Sequence, residues 1–197
     1  MELRGPSLSL RYPVAADAPR LFELGRDPDV AQWFSWGPYT DPSEPEAWIA
    51  RQDAEREAGT HLDYVIVDPR DGVVGVTGLA ELAVRDRRAM VGTWIGRAWW
   101  GTGVNAASKA LLLHLAFAVC GLERVGAYSN VENERSARAL EQVGFTREGT
   151  LRRWHRHGDR VLDVHVFGLL REEWEAGPLA GSLVTMVKAP PRAWVVR

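Results

Sequence analysis

Hydrophobic residues recur along this chain at two spacings, one typical of strands and one typical of helices. Alternating apolar and polar positions predict strands at residues 7–12, 63–68, 73–84, 89–96, 123–129, 147–156 and 160–170. Apolar positions three or four apart predict helices at residues 15–25, 44–58, 104–119 and 133–143. At the start of the second helix, Ser43 and Glu46 have the spacing of a capping box. The order of elements is typical of a mixed α/β fold with about seven strands.

Two turn sequences predict how the middle strands connect. Pro69 begins a Pro-Arg-Asp-Gly turn and Arg85 begins an Arg-Asp-Arg-Arg turn, so three consecutive strands should form an antiparallel meander. Residues 94–129 then run strand, helix, strand, which predicts a parallel pair with a right-handed crossover. We therefore predict one central mixed sheet with helices on its faces.

Composition narrows the class of protein. Hydrophobic residues make up 46% and charged residues 25% of the 197 residues, which allows a sizeable core and excludes intrinsic disorder. The formal net charge of -2 argues against attraction of the whole surface to nucleic acid or membrane. The single cysteine, Cys120, excludes an intrachain disulfide and a cysteine metal cage. No apolar stretch is long enough to span a bilayer and no signal-peptide pattern is present, so we predict a cytoplasmic protein.

The most informative stretch joins a strand to the long apolar helix. Gly101 and Gly103 flank Thr102, and the helix begins at Val104 and Asn105. Two glycines let the backbone turn tightly and point amide groups outward at a helix N-terminus, where anions are stabilised. The junction predicts a phosphate cradle, and the same residues also fit a plain tight connection. They match neither the dinucleotide-binding fingerprint nor a Walker loop.

Residues further along the chain add to the pattern that begins at this junction. They are Asn130, Asn133, Glu134, Arg135, Ser136, Leu140, Gly144, Phe145, Glu148 and Gly149. Together with the junction they make residues 8–174 resemble GNAT-superfamily N-acetyltransferases of the RimJ/RimL type. The chain departs from that pattern at Trp100, where the superfamily usually has Gln or Arg, and at Asn105, where it usually has a small residue.

The resemblance implies acetyl-CoA as cosubstrate and no metal. The pyrophosphate would lie on the backbone amides of Gly101, Thr102, Gly103, Val104 and Asn105. The pantetheine arm would pair with the backbone of Trp94, Ile95 and Gly96, between two splayed parallel strands. Because backbone groups make these contacts, the departures at Trp100 and Asn105 should leave cofactor binding intact.

Asn133 and Ser136 open the helix that follows the last parallel strand. Taken alone, Asn133 is a good N-cap and Ser136 an ordinary first-turn residue. The resemblance implies instead that Asn133 hydrogen-bonds the pantetheine arm and that Ser136 donates a proton to the departing thiolate. Many GNAT enzymes use a tyrosine four residues later, where this chain has Leu140.

His155 lies in an arginine-rich hairpin and is the candidate base. Counting back without gaps from Asp163, which matches the family's aspartate, places His155 where RimL-like enzymes carry a glutamate as a proposed base. An imidazole can accept a proton near neutral pH. The alternatives are an ordinary exposed hairpin, or a metal pair with His157, which has no recognisable third ligand.

Four aromatic residues crowd the loop between the first two helices: Trp33, Phe34, Trp36 and Tyr39. Such density is typical of buried packing. In a GNAT fold this loop walls the acceptor cleft, so the resemblance implies that Trp33, Phe34 and Trp36 contact the acceptor.

The sequence thus favours an acetyl-CoA-dependent N-acetyltransferase acting on a protein N-terminal or small-molecule amine by direct attack. Two alternative functions remain: a CoA sensor without turnover, and an RNA-binding accessory protein that uses the arginine hairpin. We predict one acetyltransferase domain at residues 1–174. The extension at residues 175–197 should pack on that domain or on a second subunit, with a homodimer favoured.

Overall fold

One mixed β-sheet runs through the whole molecule in the computed structural model, which describes residues 1–196. Its strands are β1 (Glu2–Arg4), β2 (Ser9–Arg11), β3 (His61–Asp68), β4 (Gly72–Ala83), β5 (Arg88–Ile95), β6 (Arg124–Asn130), β7 (Thr146–His157), β8 (Arg160–Leu170) and β9 (Thr185–Val187). Their order across the sheet is β7-β8-β6-β5-β4-β3-β2-β1-β9. The pair β5 and β6 is parallel and the other pairs are antiparallel. The predicted mixed α/β fold is confirmed.

Helices cover both faces of the sheet. They are α1 (Ala18–Gly25), α2 (Pro28–Ala31), α3 (Ser43–Ala58), α4 (Val104–His114), α5 (Glu134–Glu141) and α6 (Arg171–Ala176). A π-helical turn, Leu115–Val119, extends α4, and the two bury Leu111 and Phe117 in the main core. On the other face, Leu21 of α1 packs with Val65 of β3. In residues 1–196 no helix has both the length and the apolar character needed to cross a membrane.

β5 and β6 separate along their length. Arg88, Ala89 and Met90 pair with Arg124, Val125 and Gly126, and the ladder ends there. β5 continues to Ile95 and β6 to Asn130, so the C-terminal halves of the two strands diverge and leave a gap. At the point of divergence Met90 packs on Gly126, where an added Cβ would lie 2.5 Å from the Met90 Sδ. The predicted parallel unit is therefore present, with the predicted splay.

The sheet has nine strands in the described chain, so the prediction of about seven strands is wrong. β1 and β9 are three residues each and pair with one another, Leu3 opposite Met186. Alternation over three residues cannot be distinguished from a loop, and the partner of β1 lies at the far end of the chain. The alternation of residues 182–187 does predict a further strand, which is present as β9, but periodicity gives no signal for β1 or for the pairing of the two.

The predicted capping box at the start of α3 is also wrong. Ser43 lies inside the helix, and Pro42 is the N-cap without a side-chain capping bond. The carboxylate of Glu44 instead accepts the N–H groups of Thr40 and Asp41 at 2.7 and 2.9 Å. The chain before the helix folds back onto Glu44, so Glu46 is not needed for capping.

The segment after α6 lies against the rest of the chain. Trp194 is fully buried, and its indole N–H donates to the Arg56 C=O in α3 at 3.1 Å. The Val196 N–H donates to the Cys120 C=O at 2.8 Å. With the β1–β9 pair, these contacts attach residues 185–196 to the rest of the fold, and Trp194 and Val196 belong to its core.

We expect Trp194→Ala to lower the free energy of unfolding by about 3–5 kcal/mol, because it empties a large buried site and leaves the Arg56 C=O without its donor. Thermal or urea unfolding measures this. Trp154→Ala is the matched control, since Trp154 is 52% exposed and its loss should change stability by no more than about 0.5 kcal/mol. Equal effects of the two variants would show that the C-terminal segment contributes little to the core.

Candidate active site

The gap between β5 and β6 exposes one edge of β5. The Gly96 N–H donates to the Val74 C=O at 2.8 Å, and the Trp94 C=O lies beside Gly75, so both groups face β4. Backbone groups alternate in direction along a strand, so the N–H and C=O of Ile95 face the gap. Of the three residues predicted to pair with pantetheine, Ile95 is the one whose backbone faces the gap.

A tight loop leads from β5 into α4. After the 3-10 turn Arg97–Trp99, Gly101 and Gly103 have φ angles of 75° and 91°, in the left-handed region. A Cβ added at either glycine would meet nothing within 4 Å, so the requirement for glycine is conformational. Inside α4 the Ala107 N–H donates to the Gly103 C=O at 3.0 Å. The N–H groups of the first turn, from Val104 on, precede this bond and are available to an anion.

The loop is open to solvent. Thr102 is exposed, and Asn105 in the first turn of α4 is half-buried. A groove of about 440 Å³ borders the loop, and its lining includes Trp99, Thr102 and Gly103. A ligand in this groove could reach the backbone of the loop directly.

Trp100 connects the two sides of the gap. Its indole N–H donates to the Ile95 C=O at 2.8 Å, which is the acceptor that β5 presents to the gap. The guanidinium of Arg135, in α5 on the β6 side, stacks on the indole with 3.3 Å to the ring centroid. The departure from the family pattern at Trp100 thus has a structural role in the free protein.

Asn133 and Ser136 lie at the start of α5, beside the end of β6. The Asn133 Oδ1 accepts the Ser136 N–H at 3.1 Å, so the helix-capping role is real. This cap leaves the amide donors of Asn133 and the hydroxyl of Ser136 for other partners. Nearby, Asn130 is buried and its Nδ2 has no hydrogen-bond partner within residues 1–196. An unpaired buried donor at the end of β6 marks a place where a polar ligand group would be stabilised.

His155 lies in β7, next to a bulge. The ladder with β8 skips from Leu151 to His155, and the Asp163 carboxylate holds the bulge by accepting the Arg153 N–H at 2.7 Å. The His155 ring packs edge-on against Tyr128 of β6, with 5.6 Å between centroids. Burial lowers the pKa of His155, and the charge of Glu81 raises it to a smaller extent. The imidazole is therefore mainly neutral at neutral pH, as a base must be.

His155 and His157 stack with 5.8 Å between their ring centroids. Among the His, Cys, Asp and Glu side chains of residues 1–196, no group of three is placed to hold a metal ion. Burial also lowers the pKa of His157. The pair is therefore better described as stacked neutral rings than as a metal site.

The aromatic loop faces this same side of the sheet. Trp36 stacks with Phe34 at 5.4 Å and contacts Trp94 of β5 at 5.7 Å between centroids. Tyr39 packs against α1 at Gly25, and burial raises its pKa to about 12. Trp33 is half-buried and lies outside this ring cluster in the described part of the chain. Tyr39 therefore packs the loop against α1, whereas the rings of Trp36 and Phe34 form an apolar surface beside β5.

Sequence reasoning missed Lys109, in the second turn of α4. This lysine is 3% exposed, and its Nζ donates to the Thr93 Oγ1 of β5 at 2.5 Å. The signal was present, because Lys109 interrupts an otherwise apolar helix and Lys188 is the only other lysine in the sequence.

Comparison with known proteins agrees with this geometry. Residues 7–146 match the acetyltransferase (GNAT) domain family. An uncharacterised N-acetyltransferase, p20 of Bacillus licheniformis, is 30% identical over 168 residues, which cover 85% of this chain and 94% of p20. The chain therefore belongs to the GNAT acetyltransferase family.

Solved structures share the fold. A crystal structure of an acetyltransferase from T. thermophilus is 30% identical with a TM-score of 0.76, covering 89% of this chain and 92% of that one. The spermidine N-acetyltransferase of Vibrio cholerae, solved with CoA and spermine, is 21% identical with a TM-score of 0.74, covering 85% and 98%. The predictions of a GNAT fold and of an acetyl-CoA-dependent N-acetyltransferase are confirmed. The sensor and RNA-binding alternatives gain no support.

Proposed function

We propose that acetyl-CoA binds with its pyrophosphate on the loop from Gly101 to Asn105 and its pantetheine arm in the gap between β5 and β6. The observation that carries this proposal is the edge of β5 at Ile95, whose N–H faces the gap while its C=O accepts the Trp100 indole N–H. This edge continues directly into a glycine loop and an uncapped helix N-terminus. An extended amide chain and an anionic group are the chemical matches for these two features. When bound, acetyl-CoA supplies an activated acetyl group.

The chain's residues then have distinct tasks. The Ile95 N–H stabilises negative charge that develops on the thioester oxygen when the acceptor amine attacks. Asn133 holds the pantetheine arm, and Ser136 donates a proton to the departing thiolate. His155 removes a proton from the acceptor ammonium. Because attack is direct, no protein nucleophile is required, and burial raises the pKa of the Cys120 thiol to about 12.

The acceptor approaches over the face that carries Trp36, Phe34, Trp94 and Tyr128. These rings provide an apolar wall, while Glu81 is the one carboxylate whose charge acts on both Tyr128 and His155 in the described chain. A polyamine carries several positive charges and needs several carboxylates, so a single amine next to an apolar group fits better. We propose a protein N-terminal amine or a small molecule of that kind as the acceptor, in keeping with a RimL-like enzyme.

A panel of amines tests this function. CoA release from acetyl-CoA should be fastest with peptides or small amines that have one amino group beside an apolar side chain. Spermidine serves as the multiply charged comparison. Faster turnover of spermidine than of every monoamine would overturn the proposed acceptor class, and acetyl-CoA binding without turnover of any amine would favour a sensor.

We further propose that the protein acts in the cytoplasm as a homodimer. The support is the outer edge at β9, where Leu183 is 77% exposed and Met186 and Val187 are 38% and 39% exposed. An unprotected strand edge with apolar side chains is a common dimer surface. Light scattering should give twice the chain mass, and Val187→Lys should halve it. A monomer at micromolar concentration would overturn the proposal.

A further inference from the structure

A buried polar cluster lies under the cofactor loop, on the side of β5 that faces α4. Lys109 donates to the Thr93 Oγ1 at 2.5 Å, and the Thr93 hydroxyl contacts the Thr77 hydroxyl of β4 at 2.6 Å. The Lys109 Nζ also lies 3.4 Å from the Oδ1 of Asn105, in the first turn of α4. One amine therefore links the phosphate-binding end of α4 to the strand whose edge lines the gap.

The cluster contains no negative charge. The side chains that face Lys109 from β4, β5 and the first turn of α4 are Thr77, Thr93 and Asn105, all of which are uncharged. Burial lowers the pKa of Lys109 to about 7, and it is the only cause of the shift among the described residues. Lysine is rarely buried without an acidic partner, because the amine loses its hydration. A leucine or methionine would fill the same place on the helix without this cost.

The missing negative charge would come from the ligand. Asn105 and Lys109 are one turn apart on α4, so their Cα atoms are about 6 Å apart along the helix. The Lys109 side chain runs back toward the helix N-terminus and brings its Nζ to 3.4 Å from the Asn105 Oδ1. Phosphate groups at that first turn would be the nearest anions to a buried amine, in surroundings that screen charge poorly.

We propose that Lys109 is a positioning residue of the cofactor site, which takes up a proton when the phosphates of CoA bind and then holds Asn105 and Thr93 in place as a cation. This rests on the proposed location of the cofactor. Lys109 then contributes to the affinity for CoA. Cofactor binding depends on pH through this lysine, although it does not touch the reacting atoms.

The sign of the pH dependence follows from linkage. Binding raises the pKa of Lys109, so its contribution to affinity is complete below the pKa of the free protein and is lost as pH rises through the pKa of the complex. We therefore expect the affinity for CoA to fall between about pH 7.5 and 9. Phosphate groups, with a second pKa near 6, stay ionised throughout this range.

NMR of protein labelled with [13C]lysine tests the proposal on the wild-type chain. Two lysine signals are expected, and Lys188→Met identifies the second one. The Lys109 Cε signal should titrate near neutral pH in the free protein, and saturating CoA should move its midpoint up by at least one pH unit. Pantetheine, which has no phosphate, should leave the midpoint unchanged. CoA binding with an unmoved midpoint, or an equal shift with pantetheine, would overturn the proposal.

Calorimetry in buffers of different ionisation enthalpy gives a second readout. At pH 8 the wild type should take up about half a proton or more per CoA bound. Lys109→Met should remove this uptake and weaken CoA binding about tenfold at pH 7.5, with little further change up to pH 9. Lys188→Met should retain the uptake. If CoA binds to none of these proteins, the proposed cofactor site fails as well, whereas normal binding without proton uptake overturns the role of Lys109 alone.

Discussion

Gly103→Val should reduce the affinity for acetyl-CoA by about 100-fold or more and abolish the rise in Tm that the ligand gives to the wild type. Gly103 has φ 91°, a conformation that β-branched residues avoid, and no neighbouring atom is close enough to clash. The substitution must therefore act by changing the course of the loop, which carries the amide groups that we propose bind the phosphates. A ligand at 100 times its Kd stabilises by about 2.7 kcal/mol, so the lost shift is readily measured.

Gly158→Val is the matched control. Gly158 also has positive φ, at 58°, and also has nothing within 4 Å of an added Cβ, but it lies in the turn between β7 and β8. Gly158→Val should lower the free energy of unfolding about as much as Gly103→Val does, without changing the affinity for acetyl-CoA. If the two variants bind acetyl-CoA equally well, the loop from Gly101 to Asn105 is not the phosphate site.

His155→Ala should lower kcat by about 100 to 10,000-fold, the usual effect of removing a positioned acid or base. Burial lowers the pKa of His155, so the wild-type kcat should fall only as pH drops below about 6.5, where the imidazole becomes protonated and cannot act as base. Without this base the acceptor must lose its proton unaided, and the lower limb should move up toward the pKa of a free α-amine, about 8.

Ser136→Ala tests the second proposed proton-transfer group, the one that protonates the departing thiolate. It should lower kcat at every pH without moving the lower limb, because an alcohol does not titrate in this range. His61→Ala, at the exposed start of β3, should change neither quantity. A loss below tenfold for His155→Ala with an unmoved limb would assign proton removal to water or to the acceptor itself.

The sequence predicted the parts of this molecule that are determined locally. The conformation of the loop depends on Gly101 and Gly103, whose positive φ angles are a property of the residue type. The strand-helix-strand unit from β5 to β6 follows from a hydrophobic pattern and from chain handedness. Both could be predicted because each depends on residues that are close in the chain.

Features that join distant parts of the chain could not be predicted in this way. The contact of Trp100 with Arg135 and the hydrogen bond of Lys109 to Thr93 depend on how two elements pack, which no spacing encodes. The position of His155 depends on a bulge that removes three residues of β7 from the ladder. An ungapped count can find such a residue, but it cannot show which way the strand turns there.

The short parallel ladder also divides the sheet into two parts. β1 to β5 with β9 lie on one side of this ladder and β6 to β8 on the other, and the ladder itself has three residue pairs. At the end of this ladder the Met90 sulfur lies on Gly126, where even an added methyl group would be 2.5 Å from it. The divergence of β5 and β6 therefore begins where the Met90 side chain lies on a residue that has none, and the stack of Arg135 on Trp100 spans the gap beyond it.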